Sequence, residues 1–303
     1  MREIYEIQTR LLLGILPHIE HPDFALKGGT AINLFYRDFP RLSVDIDLTY
    51  LPIKERKQSY RDIHGYLSGL RSSLSRAGLK CRSDRPLDGK TEAKLVAAGD
   101  GVQIKIEPNF ILRGAVEPVI TKRLSDKAFK KFGFSQETRC LAFNDLYGGK
   151  ICAALSRRHP QDLFDIYHLL ENEGISESLK DVFLYYLIGS SRPFHEILDA
   201  RWVDIDAVFR DKFQGMSDEN ISVNTLKESF FVLKNKIKIL ISEKDTEFLV
   251  SLINLNPDWS LYKYDHIRDF PAFRWRMYNL KKMDGFKRGE QIKKLKKFCT
   301  KNS

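Results

Sequence analysis

The chain has 303 residues, of which 43% are hydrophobic and 12% aromatic, enough apolar content to fill a core and to exclude wholesale disorder. Its length suits one large domain or two of ordinary size, and no apolar run approaches the ~20 residues that span a bilayer. Lys and Arg number 50 against 40 Asp and Glu, a net charge of +10 that favours a polyanionic partner only weakly. The N-terminus carries acids early, and Leu11-Leu12-Leu13 is a short run with no small-residue cleavage site after it, so no signal peptide is expected. Cys81, Cys140, Cys152 and Cys299 lie far apart, without a CxxC pair or a histidine at zinc spacing. Reduced thiols in a cytoplasmic protein are the expectation, with no membrane partner.

Residues 3–18 carry a helical period. Residues 23–27 read as a short strand ending in Gly28-Gly29, and 30–36 as a helix with Ala31, Leu34 and Phe35 on one face. The stretch 44–50 alternates Val44, Ile46 and Leu48 with Asp45, Asp47 and Thr49, a strand pattern. A long charged helix over 54–77 ends at Gly78. Strands at 94–97 and 102–107 flank Gly99-Asp100-Gly101, a hairpin signal, and Pro108 is read as the stop of the second. A short strand is expected at 139–142. Beyond it the pattern is helical: Asn144 is a good N-cap for 145–157 and Pro160 opens a helix to about 171. Further helices fit 176–189, 193–199, 225–242, 244–253 and 286–298. The predicted plan is a mixed α/β unit over 1–140 followed by a helical domain over 141–303.

Two short motifs carry chemistry. Gly28-Gly29-Thr30 sits between a strand and a helix, where glycines let backbone approach a phosphate and the helix start offers unpaired N–H groups. Asp45 and Asp47 are two apart on the next strand, so both carboxylates point to one face. Adjacent carboxylates repel, and a divalent cation relieves this; Mg²⁺ takes carboxylate and phosphate oxygens together. Each motif alone is common, and a tight turn with an acidic solvent face would explain them equally. Their combination favours phosphate-and-metal chemistry.

The run Leu26-Lys27-Gly28-Gly29-Thr30-Ala31, followed by Arg41-Leu42-Ser43-Val44-Asp45-Ile46-Asp47-Leu48, resembles the signature of the AbiEii family of abortive-infection nucleotidyltransferase toxins, within the polymerase-β-like nucleotidyltransferase superfamily. The match extends from about Phe24 to Leu170. The resemblance implies an α/β fold, a polymerase-β-like core with a mixed sheet, and transfer of a nucleoside monophosphate from a nucleoside triphosphate. It implies Mg²⁺, or alternatively Mn²⁺, held by Asp45 and Asp47. A third acid from a neighbouring strand is implied too, for which Glu107 is the candidate by position; a surface glutamate at a strand end is the plainer alternative. Gly28, Gly29, Thr30 and Arg41 would bind the nucleotide.

Asn144 to Leu155 resembles the family's third motif, where Lys150 would contact the triphosphate as a flexible cationic arm pointing to the surface. Gly148 and Gly149, costly in a helix at ~1 kcal/mol each, are read as allowing close packing on the sheet or a ligand. Arg157-Arg158-His159-Pro160-Gln161-Asp162, with Asp165 a turn later, resembles the last motif and implies a catalytic or orienting role for Asp162. Helix capping for Asp162, and an ion pair with Arg157 or Arg158 for Asp165, are the structural alternatives.

From Lys281 to Lys301 there are nine Lys and Arg and two acids, +7 of the total charge. With Trp275, Tyr278 and Phe286 interleaved among Arg274, Arg276, Lys281 and Lys282, the segment suits an RNA acceptor as well as it suits a solvated helix with core aromatics. The resemblance implies a toxin with a cognate antitoxin, acting on RNA, with the transfer RNA 3′ end the leading acceptor. Transfer to a protein hydroxyl, and a non-catalytic nucleic-acid-binding regulator on the same fold, stay open beside it.

Overall fold

The computed structural model describes residues 2–84 and 94–300. The chain divides into two compact units: Met1–Leu146 with Phe213–Asn220, and Tyr147–Lys212 with Ile221–Ser303.

The first unit runs α1 (Glu3–Ile15), β1 (Phe24–Lys27), α2 (Gly28–Ala31), β2 (Asp45–Tyr50), α3 (Arg56–Arg76), β3 (Lys80–Asp84), β4 (Lys94–Gly99), β5 (Val102–Asn109), β6 (Ile120–Arg123), α4 (Asp126–Phe132) and β7 (Glu137–Cys140). One mixed sheet holds all seven strands in the order β3-β4-β5-β2-β1-β7-β6. β2 runs parallel to β5 and β1 parallel to β7, and the other neighbours are antiparallel. One face is apolar: Ile46 and Leu48 on β2 stand beside Ile106 and Pro108 on β5, all buried. α1 packs on β5 and α3 on β3 and β4, burying Leu12, Ile15, Ile63, Leu67 and Leu74.

β3, β6 and α4 have no strong sequence signal: β6 is exposed along most of its length and α4 has only seven residues. Pro108 does not stop β5, which runs on to Asn109. Among the described residues β4 pairs no further than Ile106, and past that point β5 has its described neighbour on the β2 side. A missing N–H is tolerated at such an edge.

The second unit is helical. α5 (Phe143–Arg157) carries the boundary between the units, and then come α6 (Pro160–Asn172), α7 (Glu177–Gly189), α8 (Phe194–Leu198), α9 (Asp206–Lys212), α10 (Val223–Leu240), α11 (Glu243–Ile253), α12 (Pro271–Lys282) and α13 (Gly285–Thr300). Asn144 lies inside the first turn of α5 and bonds Glu117 instead of capping the helix. α10 packs on α6, α12 on α7, and α13 on α11 and α8. Gly148 and Gly149 serve this helix packing. A methyl at Gly148 would lie 3.1 Å from the Phe183 backbone nitrogen, and at Gly149 3.3 Å from the Tyr186 ring, so the two glycines admit α7 rather than the sheet. No described helix is long and apolar enough to cross a membrane.

Candidate active site

β1 delivers the chain to Gly28 with φ +72°, a left-handed backbone that glycine adopts without strain. The two glycines are the first residues of α2, which continues as a single π-turn over Ile32–Tyr36. Such turns often mark functional positions. Each glycine leaves room for a charged group. A methyl at Gly28 would collide with the Asp47 carboxylate, and one at Gly29 with the Arg41 guanidinium. The glycine turn and the acidic strand are therefore packed directly together.

Thr30 is fully buried, and its hydroxyl is committed at 2.7 Å to Ser43 Oγ and at 2.5 Å to the Asp45 carbonyl. It ties the helix start to the beginning of β2 and has no hydroxyl to spare for a phosphate, contrary to the sequence expectation. Arg41 is buried as well and donates to the Leu42 carbonyl at 2.9 Å. The segment Phe213–Asn220 holds it there: Ser217 forms a bridge with Arg41 and donates to the Pro40 carbonyl at 2.8 Å, while Leu42 N–H donates to the Met216 carbonyl at 2.7 Å. A return of the chain from 70 residues beyond the sheet has no local signature, so the sequence gives no hint of it.

Strand register places the charges. Asp47 stands opposite Lys27 on β1 and opposite Glu107 on β5, and Asp45 stands opposite Lys105. Glu107 is 3.1 Å from Lys94 on β4. One row across four strands thus reads Lys94, Glu107, Asp47, Lys27, with Asp45 and Lys105 beside it on the same face. Desolvation raises the Asp45 pKa, and the Asp47 charge raises it further; Glu107 adds to this while Lys105 and Arg41 oppose it. Lys105 is exposed and forms no ion pair among the described residues. Alternation puts Lys105 on the Glu107 face in the bare sequence, but its place beside Asp45 follows only from the parallel pairing of β2 with β5.

Two carboxylates forced together, with the proton affinity of one raised by the other, are a donor set that a divalent cation satisfies. Asp45 and Asp47 fit that role. Glu107 is turned to other use: its carboxylate meets Lys94, and among the described residues no three His, Cys, Asp or Glu side chains are grouped to hold an ion.

The second unit holds the other predicted residues. Lys150 is buried, 2.8 Å from Asp162 and 3.0 Å from Asp165, both of them buried too. Arg157 reaches Asp162 at 2.5 Å. Burial alone would raise the Asp162 pKa, but the Lys150 charge and the Arg157 hydrogen bond outweigh it and hold the carboxyl well below the ordinary range. Lys150 is thus a fixed, ion-paired cation, which corrects the sequence expectation of a flexible arm at the surface. Asp162 lies in the first turn of α6, where His159 supplies the cap. Asp165 pairs with Lys150, a partner the sequence reading did not consider for it. His168 packs its ring against Phe164 and Tyr167.

The thiols take no part. All four are free, and burial pushes Cys140 up to about 12 and Cys152 up to about 11.

With this geometry in hand, comparison with known proteins is decisive. The profile of the AbiEii nucleotidyl transferase toxin family, of type IV toxin–antitoxin systems, matches residues 10–275. The chain belongs to this family. Among solved structures it is similar to the MenT4 nucleotidyltransferase toxin of Mycobacterium tuberculosis, at 13% identity and a TM-score of 0.60, over 91% of this chain and 92% of that one. The likeness is one of fold, an α/β architecture with a mixed seven-stranded sheet and many helices. A search of curated proteins finds no match. Residues 10–275 include both the glycine–aspartate cluster and the Lys150–Asp162 cluster of this AbiEii-family chain.

Proposed function

We propose that this chain transfers a nucleoside monophosphate from a nucleoside triphosphate to an RNA hydroxyl, with the 3′ end of a transfer RNA as the acceptor, inside the cytoplasm and under the control of a cognate antitoxin. The observation that carries this reading is the contact of Gly28 with Asp47, which packs the glycine turn directly against the carboxylate pair.

In this reading Asp45 and Asp47 hold Mg²⁺, which when bound neutralises the carboxylate pair and draws electron density from phosphate oxygens. The backbone of Gly28 and Gly29 lies along the triphosphate, and Arg41, buried under Gly29, fixes that turn. Lys105 places a positive charge beside Asp45, where the phosphate tail needs one. An acceptor hydroxyl attacks the α-phosphorus, its oxygen forms the new bond as its proton passes to solvent water, and pyrophosphate leaves with the electrons of the broken bond. Positioning and charge carry most of the rate in such chemistry. Within the second unit, Asp162 and Asp165 fix the Lys150 ammonium in place.

Incubating the chain with α-labelled triphosphates and Mg²⁺, against total RNA and against protein in separate reactions, tests the proposal. Label on RNA supports it. Label on protein alone would replace the acceptor with a protein hydroxyl, and no label in either would leave the fold without this activity.

A further inference from the structure

The second unit carries an aromatic surface that the chemistry above does not use. On α12, Ala272, Phe273, Arg276 and Leu280 face inward and are buried. Arg276 anchors the helix: it donates to the carbonyls of Ile188 at 2.8 Å, of Arg192 at 2.9 Å and of Ser190, and its guanidinium lies over the Phe194 ring. It is therefore removed from the basic set that the sequence offers to a polyanion. The outer face is different. Trp275 is 44% exposed and Tyr278 48%. Their rings are nearly parallel, at 20° and 5.6 Å between centroids, and Lys282 Nζ lies 4.3 Å over Tyr278. Positions i, i+3 and i+7 share one side of a helix, so these three make a continuous strip.

Aromatic rings left in water cost hydrophobic free energy, and a stacked, half-exposed pair on a rigidly anchored helix offers an aromatic surface to solvent. A cation at its end favours an anionic, planar partner. The surroundings agree. Arg288 bonds the carbonyls of Leu280 and Met283 and so ties the start of α13 to the end of α12. Lys281, Lys287, Lys293 and Lys294 are exposed along these two helices, within a segment of charge +7. On α13 Leu295 and Phe298 are buried and Cys299 accepts from Thr246, while Lys293, Lys294, Lys296 and Lys297 are exposed.

We infer that the Trp275–Tyr278–Lys282 strip is a docking surface for single-stranded RNA, on which two bases stack while Lys281, Lys282 and Lys287 meet phosphates. It rests on the RNA-acceptor reading above and adds where the strand lies. Stacking on aromatic faces is tolerant of sequence, and single strands, unlike duplexes, can present base faces to it.

The test uses the full chain with a short 5′-labelled oligoribonucleotide, single-stranded or annealed to its complement. Wild type binds the single strand more tightly than the duplex. Trp275→Ala/Tyr278→Ala weakens single-strand binding by about tenfold or more, the scale of losing a base–aromatic stack. Trp275→Phe/Tyr278→Phe restores most of it, and far-ultraviolet circular dichroism with the unfolding midpoint verifies that each variant folds. Lys281→Gln/Lys282→Gln lowers the slope of log affinity against log salt by about 0.7 per lysine, as released counterions require. Equal affinity of the double alanine variant and wild type, with label still reaching RNA in the transfer assay, overturns the surface and leaves the proposed activity standing. Wild type that neither binds nor labels RNA overturns both. Binding of wild type to anionic phospholipid vesicles but not to the oligonucleotide would assign the strip to a membrane surface instead.

Discussion

Two pairs of aspartates sit in this protein, and their surroundings have opposite sense. Asp45 and Asp47 share a solvent-reaching strand face, each raising the cost of the other's charge, with the Asp45 pKa displaced upward. Asp162 and Asp165 are buried, yet Lys150 and Arg157 compensate them, and the Asp162 pKa is displaced downward. Around the first pair, desolvation and a neighbouring like charge raise the proton affinity of Asp45, a situation that a divalent cation relieves. The second is closed on itself and acts through stability and placement. Carboxylate spacing alone, i to i+2 on a strand and i to i+3 on a helix, does not reveal this difference; the neighbouring cations do.

The largest effect should come from breaking the closed pair. Lys150→Met removes the cation that two buried carboxylates share, with Arg157 still on Asp162, and should cost about 3–5 kcal/mol of stability, read by denaturant unfolding. A loss within 0.5 kcal/mol, the range of surface substitutions, would return Lys150 to the surface role that its sequence suggests. Asp47→Asn tests the open pair and should behave in the reverse manner. Nucleotidyl transfer should fall on the order of 10²–10³-fold, the scale of losing one transition-state electrostatic contact. The unfolding midpoint should hold or rise, because a repulsion has been removed. An active Asp47→Asn enzyme would sink the proposed site.

Gly28→Ala probes the contact between turn and strand. The left-handed backbone and the collision with the Asp47 carboxylate should together cost about 1–3 kcal/mol, with transfer activity lost alongside. Lys105→Ala should raise the KM for triphosphate by about tenfold while leaving stability nearly unchanged, as expected for an exposed charge that meets a phosphate, and Lys105→Arg should recover part of it. An unchanged KM would remove Lys105 from the site.

Proton linkage offers the smallest and most discriminating contrast. Asp162 has a depressed pKa in the folded chain, so the stability it contributes is present above the unfolded value of about 4 and is lost as pH falls toward the folded value. Asp45 has a raised pKa, so its contribution is full below about 4 and declines as pH rises through the folded value. The stability difference between wild type and each of Asp162→Asn and Asp45→Asn, from urea unfolding followed against pH, should show the two slopes with opposite sign. The same sign for both would erase the distinction drawn between the pairs.

How much of this was legible beforehand can be judged from particular residues. The alternation of Val44 to Tyr50 is strong enough to place both aspartates on one face of β2, and the double glycine marks the turn before α2. The helices from α5 to α7 follow from apolar period and from Pro160. Burial of Lys150 was not legible, since a lysine between Gly149 and Ile151 looks the same whether its ammonium meets water or Asp162. Trp275 and Tyr278 are the converse: aromatics in a helical unit are expected inside, and here Phe273, Arg276 and Leu280 take the inner face.

The sequence by itself determined the chemistry-bearing motifs and the period of most elements, because glycine, proline and alternating apolar residues act on the backbone within a few positions of themselves. Tertiary structure decided which charges meet. Strand order set Lys105 beside Asp45, the return of Phe213–Asn220 buried Arg41, and the approach of α6 to α5 closed Lys150 with Asp162. Coulomb energy depends on distance and on exclusion of water, and neither is written in the order of residues along a chain.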